Sequence, residues 1–286
     1  MAAALSLLAL LPVATRAACP QRLVTLGGDI TEIVFALGAG ECVVADDTTS
    51  EYPAAAQALP KVGYLRALNA EGVIALEPQT VIASAEAGPP AVITQLRAAG
   101  IKVDLIPEQH TAEGTLAKIE AVAKVLGRAP AGAVLAASVR TSLATLARQL
   151  SAVTSQKRVI FLLTVGNGTP MAGGTGTAAD GIITLAGGIN AAQGFSGYKP
   201  LGAEAMVRLK PDVILVMSEA IGSHGGPDFV YGLPGVRLTP AGRGHHVIAM
   251  DGSLMLGFGP RLGEAARTLA AALYPEQVTQ HDVGAR

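Results

Sequence analysis

The chain has 286 residues, of which half are hydrophobic and only 15% are charged, and its formal net charge is −1. This length is sufficient for two compact domains of ordinary size, each with its own core. The near-neutral charge and the absence of a basic patch argue against nucleic acid as a partner. Because there is no Trp and little Phe or Tyr, the core must be built mainly from Ala, Val, Leu and Ile.

The first 18 residues have the pattern of a secretory signal peptide. An apolar run at 2–14 is followed by Thr15, Arg16, Ala17 and Ala18, and the two small alanines before the expected cut suit signal peptidase. The run is too short to span a bilayer comfortably as a permanent helix, although no positively charged segment precedes it. We therefore expect cleavage after residue 18 and export of the mature protein. An apolar helix packed on the first domain is the alternative.

The chain contains two cysteines, Cys19 and Cys42. An oxidising compartment permits a disulfide between them. Cys19 precedes the first predicted strand and Cys42 opens the second, so the two side chains can lie side by side in a parallel sheet. Two unpaired thiols remain the alternative, because the sequence does not supply the Cα separation that a disulfide requires.

The first part of the chain alternates strands and helices. We expect strands at 22–26, 42–45, 80–83 and 101–106, helices at 32–37, 69–76 and 91–99, and a weak helical turn at 54–59. This βαβ alternation predicts an α/β fold with a largely parallel sheet, whose functional loops lie at the carboxyl ends of the strands.

Two consecutive helices are predicted next, at 112–127 and 130–153. A helix of about 24 residues is about 36 Å long, so the second one can join two lobes as a rigid spine. We therefore divide the chain into a signal peptide at 1–18, a first lobe at 19–128, a connecting helix at 129–154 and a second lobe at 155–286. An ordinary surface helix of one lobe is the alternative.

The second lobe restarts the same alternation. We expect strands at 158–163, 213–217 and 246–250, helices at 178–185 and 202–209, and a closing helix that ends near 273. The fold class is therefore α/β, with two Rossmann-like lobes, mostly parallel sheets and a ligand cleft between the lobes.

An internal repeat supports the division into two similar lobes. Residues 68–87 match residues 201–220 at a constant offset of 133, which pairs Glu71 with Glu204 and Glu86 with Glu219. Each copy is typical of a short amphipathic helix followed by a buried strand. The repeat is too long for a solenoid, so we interpret it as two lobes of one protein.

No familiar catalytic pattern is present in the sequence. It contains no H-E-x-x-H, G-x-S-x-G, Walker or Cys-x-x-Cys motif. The five histidines are scattered, and His245 and His246 are adjacent, which on a strand directs them to opposite faces. We therefore predict no catalytic residues and no dedicated metal site. A secreted, two-lobed protein of this kind suits the capture of a ligand between lobes.

Five stretches of the chain resemble one known family along nearly the whole mature length. They are 24–33, 47–50, 60–72, 176–180 and 256–261, and the stretch Gly63-Tyr64-Leu65-Arg66 is the most specific. The sequence is similar to the periplasmic haem-binding proteins that supply bacterial haem ABC importers. These belong to a helical-backbone class of substrate-binding proteins that also includes cobalamin and siderophore binders.

The resemblance implies that Tyr64 is the axial ligand of the iron in ferric haem b, which is the transported ligand. A phenolate is a hard anionic donor that favours Fe(III), and tyrosine does ligate haem iron in other proteins. Phenols ordinarily ionise near pH 10, so the anion needs a nearby cation. Arg66 can offer its guanidinium to the phenolate or to a haem propionate. The alternative is a loop aromatic that is half-buried between lobes.

The resemblance also implies haem contacts from the second lobe. Arg237 and Arg243 lie where relatives present a basic side chain, and we favour Arg243 because Gly242 and Gly244 flank it. Some relatives bind two stacked haems and use a ligand from the loop that follows the first strand of this lobe. No histidine stands in that loop here. Met171 and Tyr198 are the available donors, so the sequence disfavours a second haem without deciding the number. The alternative for Met171 is a packing residue of the glycine-rich loop.

In the wider class, one glutamate per lobe engages arginines of the two permease subunits. By resemblance these are Glu71 and Glu204, and two carboxylates at pseudo-symmetric points suit a two-fold related partner. The implied partners are haem, an inner-membrane ABC permease dimer and an outer-membrane haem receptor that hands over the ligand. The implied location is the periplasm. A binder of cobalamin or a ferric siderophore and an α/β enzyme using Tyr64 as an acid or base are the alternatives.

Overall fold

The computed structural model describes residues 22–165, 168–222 and 224–278, which form two α/β lobes. The predicted signal peptide and Cys19 lie outside the described residues. Among the helices of these ranges, none is both long enough and apolar enough to cross a membrane. The predicted fold class is confirmed.

A parallel four-stranded sheet forms the centre of the first lobe, with the strand order β2-β1-β3-β4. Its strands are β1 (Leu23–Leu26), β2 (Val43–Asp46), β3 (Thr80–Ser84) and β4 (Lys102–Ile106). Its helices are α1 (Gly28–Ala36), α2 (Ala54–Gln57), α3 (Ala70–Ile74), α4 (Pro90–Ala98) and α5 (Ala112–Val125). Since β1 and β3 are buried along their whole length, they show the continuous apolar runs expected of a sheet covered on both faces.

The second lobe contains a mixed sheet with the path β10-β9-β5-β6-β8, and β7 pairs with β5. Its strands are β5 (Arg158–Thr164), β6 (Met171–Gly173), β7 (Ile189–Asn190), β8 (Tyr198–Pro200), β9 (Val213–Met217) and β10 (Val247–Met250). Its helices are α7 (Ala178–Leu185), α8 (Ala203–Leu209), α9 (Ser218–Gly222), α10 (Asp228–Tyr231), α11 (Pro240–Arg243), α12 (Gly252–Leu256) and α13 (Leu262–Leu273). The antiparallel pairs β5-β6 and β6-β8 were not predicted, because strands of three residues carry almost no periodicity.

The long helix α6 (Ala129–Leu150) lies between the two sheets in the chain. It packs against α5 of the first lobe and α13 of the second. A Cβ at Gly132 would lie 2.3 Å from the Cβ of Ala123 in α5, so these two helices approach too closely for a larger residue. The helix therefore contacts both lobes directly, whereas the predicted division at 128 and 154 stays a prediction.

One apolar cluster extends through both lobes. It includes Ile30 and Ile33 of α1, Val139 of α6, and Phe161 and Leu269 of the second lobe. Separate clusters fill the opposite face of each sheet. Because the central cluster is continuous, the lobes share buried surface as well as a connecting helix.

The two copies of the repeat form equivalent elements. Residues 68–87 contain α3 and β3, and residues 201–220 contain α8 and β9. In both copies the glutamate of the pair Glu71 and Glu204 stands in the first turn of its helix and is exposed. The repeat thus places similar surface carboxylates on the two lobes.

Candidate ligand-binding cleft between the lobes

A cleft of about 890 Å³ lies between the lobes. The loops that follow β1, β2, β3 and β4 form one wall, and the loops that follow β9 and β10 contribute to the other. Ligands of open α/β sheets ordinarily bind at the carboxyl ends of the strands. The position of this cleft agrees with that rule and with the predicted ligand cleft.

The loop that carries Tyr64 is anchored from below. Leu65 and Leu68 are each 6% exposed, and backbone hydrogen bonds join both to Gly88, in the turn after β3. Gly63 has φ of 105°, a conformation that L side chains rarely adopt. The anchors hold the loop while Tyr64, which is 45% exposed, lines the cleft.

Tyr64, Arg66 and Glu86 form a connected polar group on the cleft wall. Nη1 of Arg66 donates a hydrogen bond of 2.9 Å to the Tyr64 hydroxyl, and Nη2 donates to a carboxylate oxygen of Glu86. A guanidinium in direct contact with a phenol oxygen stabilises its anionic form. The predicted proximity of Tyr64 and Arg66 is therefore present in the structure.

The charge of Arg66 is well supported by its neighbours. Partial burial lowers the pKa of its guanidinium, but the hydrogen bond to Tyr64 and the charge of Glu86 outweigh that effect, so the net shift of the pKa is upward. Arg66 is therefore a permanent cation at the cleft. The sequence analysis assigned no role to Glu86, although the repeat aligns it with Glu219 of the second lobe.

Tyr198 lines the cleft from the second lobe, and its ring meets Phe161 edge to face at 6.5 Å. Burial raises the pKa of its hydroxyl, against the opposing effects of a hydrogen bond with Thr177 and the charge of Arg66. The neutral phenol is therefore favoured at Tyr198 at neutral pH. Tyr64 and Tyr198 therefore line the same cleft, and their contact with a ligand stays a prediction.

Arg261 connects the two walls of the cleft. Its Nε and Nη2 donate to the same Glu32 carboxylate oxygen at 3.1 and 3.0 Å, and its Cζ lies 3.7 Å from the centre of the Tyr52 ring. Burial raises the pKa of Glu32, and the contacts with Arg261 oppose the shift. Arg261 belongs to one of the stretches that carry the resemblance, but its role was missed because Glu32 is 229 residues away in the chain.

A buried lysine lies beneath the same cleft. The Lys118 ammonium pairs with Asp29 and, at 2.6 Å, with Glu108, and it also lies 3.4 Å from the Phe258 carbonyl of the second lobe. Burial and the charge of Asp29 raise the pKa of Glu108 to about 7, although Lys118 opposes them. His110, whose pKa burial lowers, packs edge to face on Phe258 at 5.3 Å. A lysine in mid-helix usually indicates a solvated face, so the sequence did not reveal this group.

Three predicted contacts are not among the residues that line the cleft. Arg243 donates to the Leu238 carbonyl at 2.7 Å, and Arg237 donates to the Tyr231 carbonyl at 3.2 Å. Met171 begins β6 and is half-buried. The structure therefore does not bring these side chains to Tyr64, and Arg261 is the arginine that the second lobe presents to the cleft.

The remaining predictions concern cysteines and metals. Cys42 is 7% exposed, and its predicted partner Cys19 lies outside the described residues, so the pairing stays a prediction. Across 22–165, 168–222 and 224–278, no three His, Cys, Asp or Glu side chains are grouped so that they could hold a metal ion.

A family model described as periplasmic binding protein matches residues 23–254. The chain belongs to this family. Its described core, from β1 to α12, coincides with the matched region. The family match agrees with the two-lobed fold and with a ligand cleft between the lobes.

Solved structures of this family superpose closely on the chain. The periplasmic haem-binding protein RhuT from Roseiflexus sp. RS-1, in its apo form, is 40% identical with a TM-score of 0.86, and the match covers 90% of this chain and 99% of RhuT. BhuT, a periplasmic haem-binding protein in complex with two haems, is 42% identical with a TM-score of 0.85, covering 90% and 98%. HutB of Vibrio cholerae, also a periplasmic haem-binding protein, is 36% identical with a TM-score of 0.81, covering 89% and 99%.

Sequence relatives include binders of another ligand. An uncharacterised ABC transporter substrate-binding lipoprotein of Bacillus subtilis, YvrC, is 26% identical over 264 residues, or 90% of this chain and 81% of YvrC. The vitamin B12-binding protein of Vibrio vulnificus is 36% identical over 98 residues, but this match covers only 34% of this chain and 36% of that protein. The vitamin B12-binding protein of Vibrio campbellii is 25% identical over 206 residues, which is 72% of this chain and 74% of that protein. The similarity to vitamin B12 binders is therefore either short or, where it is long, low in identity.

Proposed function

We propose that this periplasmic binding protein captures ferric haem b in its cleft and performs no reaction on it. The carrying observation is the placement of the Tyr64 hydroxyl on the cleft wall, where Arg66 donates to it at 2.9 Å. Solved relatives that match nearly the whole chain are haem-binding proteins. In this proposal Tyr64 is the protein ligand of the haem iron.

The chemistry of the site suits an oxidised porphyrin metal. A phenolate is a hard anionic oxygen donor that favours Fe(III) over softer metals. Arg66 stabilises the anion by a charge-assisted hydrogen bond. Tyr198 and Tyr52 supply aromatic surface at the opposite wall and at the rim, and such surfaces pack well on a planar ligand.

We further propose that the protein acts in the periplasm, where it receives haem that an outer-membrane receptor has imported and delivers it to an inner-membrane ABC permease. Glu71 and Glu204 are exposed and occupy equivalent first turns on α3 and α8. Two equivalent carboxylates, one on each lobe, suit a permease dimer whose subunits are related by a two-fold axis. Charges at the edge of an interface set orientation and association rate more than affinity.

Cobalamin is the second candidate ligand. The observation in its favour is the local similarity to the vitamin B12-binding protein of Vibrio vulnificus. That similarity covers about a third of the chain, and a longer one, to the vitamin B12-binding protein of Vibrio campbellii, covers 72% of it at 25% identity. The haem-binding relatives RhuT and BhuT match 90% of the chain at 40% and 42% identity. Haem is therefore the ligand that the whole chain supports best.

Titration of the purified mature protein with hemin tests this proposal. We expect a stoichiometric complex with the absorbance of ferric high-spin haem. Tyr64→Phe removes the donor oxygen while keeping the ring, so it should weaken binding at least about tenfold and change the spectrum. Tyr231→Phe is the matched control, because Tyr231 packs against His245 with its ring tilted by 59° and does not line the cleft.

Two results would contradict the proposal. One is a Tyr64→Phe protein with the affinity and spectrum of the wild type, which would remove the assignment of the iron ligand. The other is stoichiometric binding of cyanocobalamin, measured by calorimetry, without any complex with hemin. That second result would identify cobalamin as the ligand of the cleft.

A further inference from the structure

Glu86 is the residue that fixes the guanidinium of Arg66. It follows β3 in a turn whose backbone is tied to the side chain of Ser84, with a hydrogen bond of 3.2 Å from the Glu86 amide. Its carboxylate accepts from Nη2 of Arg66, while Nη1 of the same guanidinium donates to Tyr64. A single planar group thus contacts the carboxylate and the phenol through different nitrogens.

Arg66 needs such a second anchor. Its side chain is 51% exposed and that of Glu86 is 34% exposed, so packing alone does not hold this long side chain in one rotamer. An unrestrained arginine loses rotamer freedom each time it forms the contact with Tyr64. Because the guanidinium is rigid and planar, the hydrogen bond of Nη2 to Glu86 also fixes the position of Nη1, which faces Tyr64.

We propose that Glu86 is a positioning residue that holds Arg66 against the oxygen of Tyr64 and thereby slows the release of ferric haem. This inference deepens the proposed function and rests on it. Glu86 itself does not touch the iron. It acts through Arg66, which must keep one nitrogen on the phenolate oxygen while the haem is bound.

The negative charge of Glu86 has an opposite effect that must be weighed. A carboxylate near the phenolate repels it and partly neutralises Arg66. Because the side chains of Arg66 and Glu86 are 51% and 34% exposed, water and salt weaken this repulsion. The hydrogen bond between Glu86 and Arg66 is a direct contact, which water and salt weaken less than a repulsion that acts over a longer distance, so we expect the positioning effect to prevail.

Other charged groups face this cluster from the second lobe and from the loop after β4. The charge of Arg66 lowers the pKa of Tyr198, whereas the charge of Glu86 raises it. The charge of Glu86 also raises the pKa of His110, which lines the same cleft, against the lowering effect of burial. Measurements at one fixed pH and ionic strength keep these contributions constant across variants.

The test compares Glu86→Ala and Glu86→Gln with the wild type, using Glu120→Gln as a matched control on the exposed face of α5. The dissociation rate is measured by transfer of haem to an excess of apomyoglobin. Resonance Raman spectra of the ferric complexes report the bond between iron and phenolate. Thermal melting of each variant verifies that it is folded.

We expect Glu86→Ala to release haem about twofold to fivefold faster, the range that exposed ion pairs give, and to shift the iron–phenolate band. Glu86→Gln should recover at least half of the loss, because its amide oxygen still accepts from Arg66. The control should behave as the wild type.

Three outcomes would overturn the inference: unchanged release and spectrum in Glu86→Ala, slower release in that variant, or no recovery in Glu86→Gln. The proposed function fails separately, since it requires only that the wild type binds hemin and that Tyr64→Phe binds it more weakly and with a changed spectrum. A protein that meets those two conditions but shows no effect of Glu86→Ala would lose the positioning residue and keep the ligand.

Discussion

At the scale of single residues, buried polar groups shape the first lobe around the cleft. Asp47 is fully buried and accepts from the backbone of Gly27 and Thr49 and from the hydroxyls of Thr49 and Ser50. These contacts connect the turn after β1 to the turn after β2. The stretch 47–50, which contributed to the family resemblance, therefore stabilises the fold by holding these two turns together.

Replacement of Asp47 by Ala should lower the free energy of unfolding by about 2 to 4 kcal/mol, because it leaves several buried donors without a partner. Urea denaturation monitored by circular dichroism measures the change. Asp104→Ala is the control, since Asp104 pairs with Lys102, whose side chain is 61% exposed. The control should change stability by less than about 1 kcal/mol. Equal losses in both variants would contradict the assignment.

The carboxyl of Glu108 predicts a pH dependence of stability. Burial and Asp29 raise its pKa to about 7 in the folded protein, compared with about 4.3 for an unfolded glutamate. Between these values the folded state binds more protons than the unfolded state. The stability contributed by this group is therefore lost as the pH rises through the window, and it is constant above about pH 7.

Glu108→Gln should flatten the fall in stability between pH 5 and pH 7.5, by about 1 to 2 kcal/mol relative to the wild type. Asp46, whose pKa burial raises to about 6 despite Lys61, adds a dependence of the same sign that the variant retains. Thermal melts across this range measure the slope, with Glu120→Gln as the control. An unchanged slope in Glu108→Gln would refute the prediction.

At the scale of helices and strands, close backbone approach decides how the long helix is placed. Gly132 of α6 lies against Ala123 of α5, and Gly263 of α13 lies against Ser142 of α6, where an added Cβ would meet the Ser142 Cβ at 2.6 Å. Helices meet this closely only where a side chain is missing. The small residues of α6 thus fix its position between the lobes.

Substitution of two helical glycines by alanine distinguishes the effect of helix propensity on stability from the effect of packing. Gly132→Ala should destabilise the protein by about 1 to 2 kcal/mol, because overpacking against Ala123 exceeds the gain in helix propensity. Gly72→Ala in α3 should stabilise it by about 0.5 to 1 kcal/mol, since no atom lies within 4 Å of the added Cβ. Chemical denaturation distinguishes the two. Stabilisation by both substitutions would show that α5 and α6 have room to separate.

At the scale of the whole molecule, the two lobes are joined by helix α6, by a shared apolar cluster and by polar contacts such as Arg261 with Glu32. A protein connected in this way should change the relation of its lobes little on binding, in contrast to proteins whose lobes are joined by flexible strands. The permease that we propose as a partner would then meet a surface in which Glu71 and Glu204 keep a nearly fixed separation.

Charge reversal at both positions, Glu71→Lys with Glu204→Lys, should leave hemin affinity within about twofold of the wild type and abolish haem-dependent growth through the permease. Rim charges of this kind control association with a partner. The affinity is measured by titration and the uptake by growth on haem as the iron source. Loss of hemin affinity in the double variant would oppose a docking role, as would normal growth.

The sequence by itself determined the elements and the local geometry of the site. Periodicity and turn residues located β9 and α7 and revealed the 133-residue repeat. It also placed Tyr64 and Arg66 two residues apart in one loop, but it left open whether the guanidinium meets the phenol, and the folded loop decided that contact. The short strands β6, β7 and β8 escaped prediction, because two or three residues contain too little of the alternating pattern.

The tertiary structure alone decided which distant groups meet. Lys118 joins Asp29 and Phe258, which are 89 and 140 residues away in the chain, and Arg261 rather than Arg243 reaches the cleft. Glu86 meets Arg66 only because the turn after β3 docks on the Tyr64 loop. The hydrophobic pattern of a sequence indicates which face of a helix or strand is buried. Which charged side chains form pairs depends on how the lobes and loops pack against one another.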